Sequence, residues 1–295
     1  MNRSLALMLT GLAPAIWGST YLVTTEFLPD GYPLTAAMLR ALPAGLLLLL
    51  LTRVLPKGVW LLRVAILGAL NFSIFWWLLF VAAYELPGGV AATIGAIQPL
   101  IVLYLAKLLL DQQVRFAAVA AGLAGVVGVA LLVLTPAAAL NATGVLAAAG
   151  GAFSMAVGTV LTRKWQPPVS ALTFTAWQLV AGGLLLLPAA LIFEPSLPAL
   201  SIENVGGFTY LGLIGGALTY VLWFRGIAVL GPAAVAPLGL LSPVSALLLG
   251  WGIADESFTV LQTIGVALVL GSIWFSQWAQ SRGPIASPRQ PLRAA

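Results

Sequence analysis

Ten successive runs of about twenty apolar residues dominate this sequence, from Leu5–Thr24 near its start to Phe258–Trp278 near its end. Each is long enough to cross a hydrocarbon layer about 30 Å thick as a helix rising 1.5 Å per residue. Lipid offers no water to satisfy peptide groups, so helices are the form such runs must take. The expected fold class is all-α and integral to the membrane, with ten transmembrane helices. Only 7% of the 295 residues are charged and the mean hydropathy is +1.07, whereas a soluble chain carries roughly 25% charged residues. Ala13-Pro14-Ala15 imitates a signal-peptidase site. The apolar run continues past it to full membrane length, so the first run reads as a retained span.

Cysteine and histidine are both absent. That removes disulfides, thiolate and His-ligated metal sites, haem, and Ser-His or Cys-His nucleophilic catalysis. No cofactor or metal is expected, and an enzyme has little to work with. The net charge of +5 comes from basic residues scattered between apolar runs, which is a topology signal and not a nucleic-acid surface. The even connections carry Arg53, Lys57, Arg63, Lys107, Arg115, Arg163, Lys164 and Arg225. The odd ones carry only the acids Glu26, Asp30, Glu85, Glu194, Glu203, Asp255 and Glu256. Basic residues are retained in the cytoplasm, so both termini are expected there. The segment 281–295, with three Pro and three Arg, reads as a disordered cytoplasmic tail, either touching anionic lipid or serving as a spacer.

An internal repeat sets the architecture. At an offset of 138, Thr24 pairs with Thr162, Pro29 with Pro167, Leu34-Thr35 with Leu172-Thr173, and Gly45 with Gly183. Past the second connection the offset is 144, pairing Gly68 with Gly212, Phe80 with Phe224, Gly95 with Gly239, Pro99 with Pro243, and Asp111 with Asp255. The chain therefore divides into five-helix repeats at 1–138 and 139–280. Five is odd, so the second repeat is inverted in the membrane. Inverted repeats characterise transporters, which hold a site near mid-membrane and alternate access by rocking the halves.

These spans, with Trp17-Gly18 in the first helix, a single Arg40 in the second, and Pro99 and Pro243 in the fourth helix of each half, resemble the EamA-type drug/metabolite transporter superfamily. The resemblance covers Leu5 to Trp278, and within the superfamily the chain is similar to the YddG-type amino acid exporters. It implies a basket-like bundle with a central cavity, efflux of amino acids including aromatic ones, and a bacterial plasma-membrane location. The alternative within transport is efflux of hydrophobic drugs or other small neutral metabolites.

Polar and aromatic residues near mid-span are the candidate cavity lining, because they are costly against lipid. Trp17 and Tyr21 are four apart and share a helix face. The sixth helix offers Ser154 and Met155, the third Asn71 and Phe75, the eighth Tyr220 and Trp223. Gln98-Pro99 and Ser242-Pro243 occupy matching positions, each with a glycine, Gly95 or Gly239, three residues before the polar one. Proline strips the carbonyl four residues earlier of its donor, so these sites read either as hinges exposing backbone to substrate or as static kinks. Arg40 lies roughly 9 Å deep. It reads either as a binder of a substrate carboxylate or, preferably, as a structural residue that snorkels to bond helix-end carbonyls and external Glu26, Asp30 or Glu85. No carboxylate lies at mid-span, which points to facilitative transport without a proton or sodium site. Gly122, Gly125 and Gly128, with Gly265 and Gly271, form small faces that suit packing within the chain. A weak homodimer through those faces is the alternative to a monomer.

Overall fold

The computed structural model describes residues 2–29, 31–86, 88–133, 141–254 and 259–281. Asp30, Asp255, Glu256, the tail from 282 onward and the side chain of Tyr21, all used above, lie outside the described residues. Ten apolar helices run through what is described: α1 (Arg3–Thr24), α2 (Pro33–Thr52), α3 (Val59–Ala82), α4 (Ala91–Leu110), α5 (Phe116–Leu132), α6 (Ala142–Lys164), α7 (Ala171–Phe193), α8 (Ile202–Leu230), α9 (Pro232–Leu249) and α10 (Val260–Gln280). All but the shorter α5 are long enough to span a membrane unaided.

Their ends carry chemical signals. Asn2, Asn141 and Ser170 accept backbone N–H groups at the starts of α1, α6 and α7, and Ser201 with Asn204 forms a reciprocal capping box on α8. Arg53 and Asp111 take left-handed backbone at φ 54° and 55° and close α2 and α4. The outside of the bundle is apolar. Phe116 is 87% exposed and Phe193 76%, whereas Asn71, Gln178 and Thr219 are fully buried. A chain solvated by lipid hides its polar groups and shows its hydrocarbon.

The repeat is visible in the backbone irregularities. Two π-helical segments interrupt α3 and α8, at Ala69–Ser73 and Leu213–Leu218, and they start 144 positions apart, at the offset of the sequence repeat. The proline positions break as well. A turn at Ala96 and Ile97 precedes Gln98-Pro99 in α4, and a 3₁₀ segment over Ala236–Leu240 precedes Ser242-Pro243 in α9. Both follow from the donor that proline lacks.

Small residues let the helices touch backbone to backbone. In the α2–α7 crossing, a Cβ placed on Gly45 would lie 2.6 Å from Val180 N, and one on Gly183 would lie 2.8 Å from Leu42 N. Leu42 and Val180 are themselves repeat partners, so the crossing has two-fold pseudosymmetry. Between α5 and α10, Cβ positions on Gly128 and Gly265 fall 3.1 and 2.8 Å from each other's carbonyl oxygens. Gly122 packs on Leu100, and Gly125 on Leu240 and Ser272. These four glycines are thus engaged within the chain, whereas Gly271 has nothing within 4 Å of its Cβ position.

Charge sorts by end. At one end the Glu194 carboxylate accepts from Leu34 N and Thr35 N at 2.6 and 2.7 Å and caps α2. There too, Asn141 donates to Glu85 at 2.7 Å and Asn204 to Phe27 O at 3.0 Å. At the other end, basic and amide side chains hold carbonyls. Arg115 donates to Ala279 O at 2.8 Å, Arg163 to Ala228 O, and Gln277 and Gln280 to Ala234 O and Ala233 O.

Candidate functional site

Two polar contacts related by the repeat cross between the halves. Arg40 of α2 donates Nη2–H to Gly215 O, in the π segment of α8, at 2.8 Å. Positions 40 and 215 correspond to 178 and 71, and there Asn71, in the π segment of α3, donates to Gln178 Oε1 of α7 at 2.8 Å. A π turn takes its carbonyls out of the ordinary helical ladder, and in lipid each must find a donor. Gly215 O also accepts from Thr219 Oγ1 at 2.7 Å. Arg40 thus serves a mid-helix carbonyl with its guanidinium 4.9 Å above the Trp76 ring. The carbonyl it serves lies in mid-helix, where the structural reading expected helix-end carbonyls.

Asn71, Ser154 and Met155 lie in a closed seam. Asn71 donates further to Thr162 Oγ1 at 3.2 Å, Ser154 Oγ to Leu70 O at 2.8 Å, and Met155 is 4% exposed. Gly158 makes the seam tight, because a Cβ there would overlap Asn71 Oδ1. Gly158→Ala is expected to lower stability by about 1–3 kcal/mol through overpacking, measured as a lower melting temperature in detergent. An unchanged melting temperature would show that α3 and α6 part freely.

Trp17, Gln98, Tyr220, Trp223, Gly239 and Ser242 come together from α1, α4, α8 and α9. Trp17 donates its indole N–H to Thr219 Oγ1 at 2.9 Å, and its ring centroid lies 5.0 Å from Tyr220 and 5.1 Å from Trp223. Phe72 and Trp76 close on Tyr220 at 4.6 and 6.2 Å. The connected groups read Trp17, Thr219, Gly215 O and Arg40, so the aromatic cluster is tied to the crossing between the halves. Gly18 sets α1 directly on α9. A Cβ there would lie 2.5 Å from Ser245 Cβ and 2.7 Å from Ser242 O. Across the cluster, Gln98 Oε1 and Trp223 Cη2 flank Gly239, 3.8 and 3.9 Å from where its Cβ would start.

Burial divides these residues. Tyr220 and Trp223 are 2% and 1% exposed, whereas Trp17, Gly95, Gln98, Gly239 and Ser242 are partly accessible near mid-span. Space opens beside Gly95, with nothing within 4 Å of its Cβ position. Of the remaining candidates, Phe75 packs half-buried on the same core, Pro99 is buried, and Pro243 is half-buried. Two donors here, Gln98 Nε2 and Trp223 Nε1, are buried without an acceptor, at a cost of about 1–3 kcal/mol each in an apolar interior. Among the described residues the helical carboxylates, Glu26, Glu85 and Glu203, all lie in the first or last turn of a helix. Groups of three or more metal-binding side chains are absent among the described residues.

Sequence reasoning missed the π segments, the clasp role of Gln178 and the part of Phe72 in the cluster. The repeat held a signal for the second: Gln178 is the counterpart of Arg40, and a polar pair at equivalent depth calls for equivalent partners.

A ten-helix membrane bundle in two five-helix halves, with broken helices and polar groups meeting at its centre, defines a membrane transporter of the repeat-built kind. The chain belongs to the EamA-like transporter family, which matches residues 4–134 and again residues 142–278. It is 45% identical over 263 residues to Protein PecM of Dickeya dadantii (strain 3937), covering 88% of each chain. It is 30% identical over 289 residues to the Uncharacterized inner membrane transporter YedA of Escherichia coli (strain K12), covering 95% of this chain and 91% of that one. A solved crystal structure at 22% identity superposes with a TM-score of 0.79, covering 95% of this chain and all of the other, which shows the shared fold.

Proposed function

We propose that this transporter exports amino acids, including those with aromatic or other apolar side chains, by alternating access down the solute's own gradient. In this reading it sits in a bacterial plasma membrane with both termini cytoplasmic. The observation that carries it is the convergence of an accessible Trp17 ring, the neutral dipoles of Gln98 and Ser242, and the two helix breaks at Pro99 and Pro243. An aromatic wall offers a face to apolar side chains. Amides, hydroxyls and carbonyls freed by proline offer hydrogen bonds to ammonium and carboxylate groups. With every described helical carboxylate at a helix end, no proton or sodium site contributes.

Purified protein in liposomes tests this directly. Preloaded radiolabelled phenylalanine should leave faster than from protein-free vesicles, and a pH gradient without a substrate gradient should produce no accumulation. Efflux at the protein-free rate would overturn the amino-acid reading, and efflux of a hydrophobic dye in its place would favour the drug-efflux alternative. Uphill accumulation would overturn the facilitative mechanism alone.

Trp17→Ala is expected to weaken handling of large side chains more than small ones. One aromatic contact is worth about 0.5–1.5 kcal/mol, so discrimination between phenylalanine and alanine in competition assays should fall roughly three- to tenfold. Equal losses for both solutes would make Trp17 a packing residue.

A further inference from the structure

Four donors around the central aromatic cluster can be accounted for one by one. Trp17 gives its indole N–H to Thr219, Thr219 gives its hydroxyl to Gly215 O, and Arg40 reaches the same carbonyl. Asn71 is committed to Thr162 and Gln178. Two donors remain. Trp223 Nε1 and Gln98 Nε2 are buried with no acceptor among the described residues, and they belong to side chains from α8 and α4 that meet at Gly239. An indole N–H cannot accept a hydrogen bond and is not exchangeable for an acceptor by rotating the ring. Evolution of a packed interior disfavours leaving such a donor unmet, and Trp223 is only 1% exposed.

From this we infer that Gln98 and Trp223 form the subsite that holds the transported solute's carboxylate. The inference rests on the reading of this cluster as the transport site and names the group recognised there. The surroundings select an anion over a neutral carbonyl and over an amine. Arg40 brings a positive charge to the cluster, its guanidinium 4.9 Å over the Trp76 ring, which lies 6.2 Å from Tyr220. The described helical carboxylates, Glu26, Glu85 and Glu203, lie in first or last turns, Glu203 more than a dozen residues along α8 from Tyr220 and Trp223. Gly239 lies between the two side chains, its Cβ position in van der Waals contact with Gln98 Oε1 at 3.8 Å and Trp223 Cη2 at 3.9 Å.

Binding to purified protein, followed by calorimetry, separates carboxylate from amine recognition with three probes: 3-phenylpropionate, 2-phenylethylamine and L-phenylalanine. A hydrogen bond from each donor to an ionised acceptor gives an expected preference of roughly tenfold or more for 3-phenylpropionate over 2-phenylethylamine. Gln98→Met, which keeps length and removes the amide, should erase most of that preference at an unchanged melting temperature. Trp223→Phe should do the same if it folds, and Gln98→Met decides the matter if it does not. Equal affinity of the wild type for the two probes, no binding of either, or a preference that survives Gln98→Met would overturn the subsite. Phenylalanine efflux from liposomes keeps the two readings apart. Carboxylate binding without efflux sinks amino acid export and leaves the subsite, whereas efflux with an unaltered Gln98→Met preference does the reverse.

Discussion

The double variant Gly45→Ala, Gly183→Ala is expected to lose most of its folded protein, seen as collapse of the monodisperse peak in detergent size exclusion. Each methyl group would be driven against main chain. At Gly45 the nearest atom is Val180 N at 2.6 Å, and at Gly183 the three nearest, at 2.6 to 2.8 Å, all belong to Leu42. Flexible side chains can swing away from an added methyl, but helix backbone cannot, so α2 and α7 must separate along the whole crossing. Overpacking of this kind costs about 1–3 kcal/mol per site, hence about 2–6 kcal/mol for two if they add. Close approach is also what holds membrane helices together, since lipid provides no hydrophobic drive between them. Each single variant should fold with a lower melting temperature. Gly271→Ala, with nothing within 4 Å, is the matched control and should behave as wild type. A double variant with wild-type yield and melting temperature would mean that the crossing is looser than these distances require.

Arg40→Met should be the most damaging single side-chain change in the centre. The substitution keeps bulk and removes a charge-assisted hydrogen bond to Gly215 O at 2.8 Å together with a cation–π contact at 4.9 Å. A hydrogen bond involving a charged group contributes about 1.5–3 kcal/mol and a cation–π contact about 0.5–2 kcal/mol. Loss of about 2–5 kcal/mol is expected, read as a large drop in thermal stability. Thr219 still reaches the same carbonyl at 2.7 Å, which keeps the π segment from being stripped bare. Arg40→Lys should recover only part of the loss, because an ammonium cannot stack on Trp76 while pointing a planar fork at the carbonyl. The readout also separates the two roles considered for this residue. A structural Arg40 moves stability first and transport with it, whereas a ligand Arg40 would raise the KM for carboxylated solutes at unchanged melting temperature.

Much of the fold was legible because a bilayer reduces the alternatives. A run of about twenty apolar residues has one way to satisfy its peptide groups, so span positions followed from hydropathy and the helices fell close to them. Charge pattern was legible for the same reason. Glu194 and Glu85 lie together at one end, and Arg115 and Arg163 bond carbonyls at the other. The proline breaks were legible too, since a missing N–H is written in the residue itself. Within the candidate site, Trp17, Gln98, Tyr220, Trp223 and Ser242 are brought together. Asn71, Ser154 and Met155 went elsewhere, into the α3–α6–α7 seam. Helical periodicity gives which residues share a face, but not which neighbour the face meets.

The sequence by itself determined the membrane as solvent, the ten spans, the five-helix repeat and the absence of mid-span acid, because each depends only on residue type and spacing along one helix. Tertiary structure alone decided the π segments, the paired contacts of Arg40 with Gly215 and of Asn71 with Gln178, and the meeting of Gln98 with Trp223 at Gly239. These depend on where a carbonyl or donor is left over once two helices have packed. Hydrogen bonds cross between halves more than a hundred residues apart, and the helix that supplies a partner is set by close packing of small residues, not by any local pattern.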